Sequence, residues 1–123
     1  MEEITEKDIS EKALVIRTNE DVIEYRGSLF NATRKWWKIS ADRVKQIDYV
    51  MVYVRGEGII REVYMPDKTT WHKEPDSGKD ILKFDGERYV FGTKDDSDDS
   101  EYCKQMLAPK HIRQKYIGKH LAD

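Results

Sequence analysis

The chain has 123 residues, 38% of them hydrophobic and 37% charged, with a formal net charge of −2. That length supports one small core under a highly charged surface rather than several domains. The balance argues against a coat that binds polyanions without selection, and no apolar run approaches the roughly 20 residues that span a bilayer.

Residues 1–12 read as a polar lead-in, acidic enough to be unlike a secretory leader. A single domain is expected over residues 13–123. Ala13-Leu14-Val15-Ile16-Arg17 is short, apolar and β-branched, which predicts a buried strand. Thr18-Asn19-Glu20-Asp21 offers a helix start, with acids where the macrodipole favours them. Val22, Ile23, Tyr25, Leu29 and Phe30 continue at helical spacing, although Gly27 weakens an unbroken helix. Ser40 is placed to cap a short helix from Ala41 to Gln46.

Tyr49-Val50-Met51-Val52-Tyr53-Val54 is apolar throughout, as for a strand covered on both faces. Gly56-Glu57-Gly58 turns the chain into Ile59–Met65, giving a β-hairpin that stops at Pro66. Residues 66–80 read as loop around Trp71. Ile81–Phe84, the Asp85-Gly86 pair and Tyr89–Phe91 predict a second hairpin. The acidic run 94–101 reads as a solvated loop, Ser100 starts a helix to Leu107, and Pro109 starts another. The expected fold is α+β, a compact and partly closed antiparallel β-barrel with short helices over its ends.

Charge is unevenly placed. Residues 95–101 carry five acids and no base, whereas residues 26–45 carry six bases against Asp42 alone. Inside that basic stretch lies Arg34-Lys35-Trp36-Trp37-Lys38. Flat aromatic faces beside cations suit base stacking and phosphate neutralisation, a stack contributing about 1–3 kcal/mol. The bland alternative is that the tryptophans are core. In an extended segment adjacent side chains face opposite ways, so one tryptophan is expected inside and the other out. Tyr53 and Arg61 lie on the first hairpin, and Arg61 alternates with apolar residues as if facing a polar pocket. Trp71 is either a lid over the barrel mouth or a plug within it.

No reaction is specified. His72, His111 and His120 are scattered and Cys103 is the sole cysteine, so neither a zinc pattern nor an internal disulfide framework is present. A lone cysteine suits a reducing, cytoplasmic setting. The acidic run lacks the glycine and closing glutamate of an EF-hand loop. No phosphate-binding glycine loop or nucleophile elbow occurs. No cofactor or metal is expected.

Thr33-Arg34-x-Trp36-Trp37-x-Ile39, Tyr49-x-Met51-Val52-Tyr53-x-Arg55-Gly56 and the closing Tyr116-Ile117-Gly118-Lys119 resemble a small domain widespread in bacterial and phage genomes. The match runs in order over roughly residues 13–121, and that domain is similar to the PUA-like superfamily of PUA, ASCH and EVE domains. The resemblance implies a β-barrel that binds RNA or a modified base in DNA. It brings no established catalytic or ligand residue with it.

The leading expectation is a non-catalytic nucleic-acid-binding module using Arg34, Trp36, Trp37, Lys38, Tyr53, Arg61 and Trp71. Arg34→Ala and Trp37→Ala are expected to weaken binding without unfolding the domain. Two other readings stand beside it: a protein-interaction or phage-defence accessory domain, and a small ASCH-type hydrolase or nuclease. A monomer without a membrane partner is expected in each case.

Overall fold

The structure, a computed structural model, describes residues 3–76, 78, 83–93 and 96–122. In chain order these form β1 (Glu3–Ile4), β2 (Ala13–Thr18), α1 (Glu20–Arg26), α2 (Leu29–Arg34), α3 (Ala41–Gln46), β3 (Tyr49–Val54), β4 (Ile59–Tyr64), β5 (His72–Pro75), β6 (Glu87–Val90), α4 (Glu101–Gln105), α5 (Lys110–Tyr116) and β7 (His120–Leu121). The fold is α+β, with a five-stranded sheet in the order β1-β7-β4-β3-β2 and a separate ribbon of β5 and β6.

One expectation about the sheet needs correction. It is mixed rather than antiparallel, because β2 pairs parallel with β3 and β1 parallel with β7. Parallel neighbours need a long crossover, and the three helices between β2 and β3 supply one. Nor do the strands close into a barrel among the described residues.

β3 is apolar at every position because both of its faces are covered. Val50, Val52 and Val54 pack with Ile16, Phe30 and Phe91 on one side. Met51 packs with Val63, Ile112 and Tyr116 on the other. Each fully buried valine contributes roughly 1.5–3 kcal/mol, so this strand anchors the domain.

The helix predicted from Asn19 onward is two helices. Asn19 Oδ1 accepts from the Val22 N–H at 2.9 Å and starts α1. Gly27, at φ 93°, ends it in the left-handed region that side chains disfavour. Ser28 Oγ then accepts from the Asn31 N–H at 3.0 Å and opens α2. The acidic run contributes here too, which a purely solvated loop would not. Asp98 accepts from the Phe30 N–H at 2.9 Å and the Leu29 N–H at 3.3 Å, a carboxylate on the first turn of α2.

Residues 66–80, expected to be loop, include β5, which pairs with β6 in the register Lys73 to Tyr89 and Glu74 to Arg88. Among the described residues the strand partner of β6 is thus β5. Ile81 and Leu82 lie outside the described residues, and Lys83 and Phe84 are not in a strand.

The polar lead-in is also structured. It forms β1 and a 3-10 turn at Glu6–Asp8, and Ile9 packs on the second core face. Glu11 accepts a very short hydrogen bond from the Tyr116 hydroxyl and another from Lys115 at 3.2 Å. Burial pushes the Glu11 carboxyl up, yet bonds from Tyr116, its own backbone and Lys115 together outweigh this and hold it below the ordinary carboxylate value. A depressed folded value means stability that is present above the unfolded carboxylate range and lost as pH falls through the folded one. Thermal unfolding of Glu11→Gln across the acid range is expected to show a lower plateau near neutrality and a shallower acid limb than the parent. Parallel curves would remove Glu11 from the acid response.

Candidate functional site

α2 ends at Arg34, and Lys35 follows with extended backbone at φ −128° and ψ 152°. The extended run lies antiparallel beside β6. The Phe91 N–H donates to the Arg34 carbonyl at 3.1 Å, and Trp37 and Tyr89 exchange backbone bonds at 2.8 and 3.1 Å. Residues 34–37 thus form a third lane on the ribbon. Trp37 opposes Tyr89, which in turn opposes Lys73. Directly opposed residues share a face, so Trp37, Tyr89 and Lys73 form one row across three chain segments.

The outer end of this row walls an open depression of about 420 Å³, lined also by Lys38, Ile39, Ser40 and Arg88 and by Asp85 and Glu87. Lys73 Nζ stands 5.3 Å from the Tyr89 ring centre, and the Arg88 guanidinium lies 4.4 Å above Phe84. No ion pair engages Lys38, Lys73 or Arg88 among the described residues. Lys73 and Arg88 each stand by an aromatic ring, and the three cations outnumber Asp85 and Glu87 in the lining by one, which leaves a small excess of positive charge for an anionic ligand.

The sequence-predicted site residues separate into two groups. Trp37 and Lys38 line the depression. The others lie elsewhere. Arg34 is 3% exposed and donates from Nε to the Phe91 carbonyl at 2.9 Å and from Nη2 to the Gly92 carbonyl at 3.0 Å. Its guanidinium braces the end of β6 instead of meeting a phosphate. Trp36 points to the opposite face and is 5% exposed, packed by Phe84 at 5.6 Å and by the Arg26 and Lys35 cations. Trp71 is a plug rather than a lid, its ring 5.2 Å from that of Phe91 and 6.5 Å from that of Tyr89. Tyr53 sits on the main sheet under Arg17 at 5.7 Å. Arg61 bonds Glu20 at 2.6 Å and Glu57 at 3.0 Å on the surface.

Lys73, Arg88 and Tyr89 complete the depression, and sequence reasoning did not place them there. Their signal depends on knowing that 72–75 pairs with 87–90, and the polar His-Lys-Glu-Pro string gives no strand alternation.

Nucleophilic chemistry finds little support in the cysteine. Cys103 is buried, and burial together with nearby Asp98 pushes its thiol up to about 11, so it stays protonated near neutrality. Among the described residues no group of three His, Cys, Asp or Glu could hold a metal ion, and no helix is long and apolar enough to cross a membrane. The basic C-terminal helix is largely engaged at home: Arg113 makes a two-point bond to Glu62 at 2.8 and 3.0 Å, and Lys115 meets Glu11. Comparison with protein-family models, curated proteins and solved structures finds no match for this chain.

Proposed function

We propose that the chain is a non-catalytic nucleic-acid-binding module whose contact surface is the depression beside the ribbon. The observation that carries this reading is the Trp37–Tyr89–Lys73 row flanked by Lys38 and Arg88, none of these cations held in an ion pair among the described residues. A π-face with adjacent cations binds a base by stacking and its phosphate by charge, without sequence readout. The volume, about 420 Å³, lies toward the small end of the roughly 300–1,000 Å³ range of ligand pockets, which suits one nucleotide unit rather than a long groove. Target classes are RNA or a modified base flipped out of DNA. The kinship with PUA-like domains belongs to this proposal and rests on the sequence pattern; in that reading the main sheet and the ribbon are the two parts of an opened barrel.

The test is a titration with single-stranded RNA, single-stranded DNA, plain duplex and modified-base duplex, followed by tryptophan fluorescence and by anisotropy of a labelled oligonucleotide. Binding is expected to weaken as salt rises, because phosphate neutralisation releases counterions. Lys73→Ala and Arg88→Ala are each expected to reduce the slope of log affinity against log salt by about 1 while leaving the fold intact. Absence of binding by every oligonucleotide at low salt, or slopes unchanged in both variants, removes the proposal.

A further inference from the structure

Two carboxylates stand in the depression beside the ribbon, where a surface built only to hold phosphate would carry none. Asp85 precedes β6, whereas Glu87 is the first residue of that strand and is positioned by it. Side chains alternate along a strand, so Glu87 shares the face of Tyr89, about 7 Å away along the backbone. The residues opposed to them on β5 point the same way. Lys73 and Pro75 are exposed, whereas His72 and Glu74, which alternate with them, are half-buried.

The same pairing leaves Glu87 without a counter-ion. Its cross-strand neighbour is Pro75, which offers neither charge nor side-chain donor. Lys73, on the diagonal, lies instead by the Tyr89 ring at 5.3 Å. Among the described residues no hydrogen bond or ion pair engages the exposed Glu87 carboxylate. Around Tyr89 the outward face thus carries Trp37 on one flank, Lys73 on the other and Glu87 one strand repeat away.

We infer that the depression selects guanine among the bases, with Glu87 accepting from the N1–H and the exocyclic N2–H of its Watson–Crick edge. This rests on the nucleic-acid reading and names the base that the surface takes. Stacking and charge alone read no sequence; the carboxylate supplies that readout. An ionised carboxylate only accepts hydrogen bonds, through two oxygens side by side. Guanine is the common base with two donors on adjacent atoms of that edge, so it makes a paired, charge-assisted contact. Adenine and cytosine set a ring-nitrogen lone pair beside the amino group, and uracil sets carbonyls on both sides of its N–H. Each of these brings an acceptor against the carboxylate. The acid also repels phosphate, so it weakens binding in general and strengthens it for one base. That edge is occupied in a duplex, and the guanine taken is therefore unpaired or flipped out.

The test is fluorescence anisotropy of the full chain with labelled oligouridylates of one length, carrying guanine, inosine, adenine or cytosine at one fixed position. Guanine there is expected to bind about tenfold or more tighter than uracil. Inosine keeps the N1–H and lacks the N2 amino group, and is expected to fall between them. Glu87→Gln is expected to lose the guanine preference, because an amide presents one acceptor beside one donor. Its affinity for plain oligouridylate is expected not to fall, since a negative charge is removed, and its far-ultraviolet spectrum to stay unchanged. Asp85→Asn removes the same charge from the lining and is expected to keep the preference, which separates base recognition from charge alone. Equal affinity for every base overturns this inference and leaves the nucleic-acid reading in place. So does a guanine preference that survives in Glu87→Gln, or one lost in Asp85→Asn instead. Absence of binding by every oligonucleotide removes both.

Discussion

Arg34→Ala is expected to cost about 3–5 kcal/mol and to unfold much of the domain at physiological temperature. Arg34 is 3% exposed, and its side chain closes the gap between the end of α2 and the end of β6. Truncation strands the Phe91 and Gly92 carbonyls, each now bonded at 2.9 or 3.0 Å, in a buried place. An unsatisfied buried acceptor costs roughly 1–3 kcal/mol, and the emptied volume adds to that. Arg34→Lys should recover only part of the loss, because a single ammonium lacks the planar fork that reaches both oxygens. Gly92 reports on the same junction. It sits at φ 79°, and a Cβ there would lie 3.3 Å from both Arg34 Nε and the Tyr102 hydroxyl, so Gly92→Ala is strained by backbone and by contact together. Urea unfolding monitored by circular dichroism measures the Arg34 effect. A midpoint unchanged by Arg34→Ala, combined with lost oligonucleotide binding, would return this residue to the ligand-binding role that its place in the basic stretch suggested.

The strongest local signals were legible because one physical cause produced each of them. β3 is apolar at six consecutive positions since core packs on both of its faces, with only Tyr49 and Tyr53 partly exposed. Ser40, Ser100 and Asn19 marked helix starts because each satisfies an orphan backbone N–H from its own side chain. β5 was illegible for the converse reason. The ribbon lies outside the main sheet, so His72-Lys73-Glu74-Pro75 needs no alternation of apolar and polar residues to pair. β1 and β7 are two residues each and are specified by their neighbours rather than by their own composition. The parallel pairing of β2 with β3 was available from chain order, since three helices intervene, but hairpin signals downstream favoured an antiparallel expectation.

The site was half legible. Trp37 and Lys38 were identified from side-chain chemistry, and the opposite orientation of Trp36 from the extended backbone. Arg34 was misplaced because charge reads as exposure in a sequence, whereas a guanidinium near the end of a helix is well shaped to brace neighbouring carbonyls. Lys73, Arg88 and Tyr89 join Trp37 only through the pairing of β5 with β6 and of Trp37 with Tyr89, the latter 52 residues away in sequence (89 − 37), non-local contacts that no short window reports.

The two adjacent tryptophans therefore make the sharpest single contrast in the molecule. Trp36→Ala is expected to cost about 3–5 kcal/mol of stability, because the indole is 5% exposed and is surrounded by Phe84, Arg26 and Lys35. Trp36→Phe should cost less than about 1.5 kcal/mol, since most of the apolar ring is kept and the indole N–H it removes has no acceptor among the described residues. Trp37→Ala is expected to behave differently. Its ring is half-buried, packed in part on the first core cluster, so stability should fall by less than in Trp36→Ala, whereas oligonucleotide affinity should fall by about 1–3 kcal/mol, or roughly 5- to 150-fold. Fluorescence supports the assignment if ligand quenching disappears in Trp37→Phe and persists in Trp36→Phe. The reverse pattern, with quenching lost in Trp36→Phe and affinity untouched in Trp37→Ala, would move any ligand to the other face of the ribbon and leave the Trp37–Tyr89–Lys73 row as packing alone.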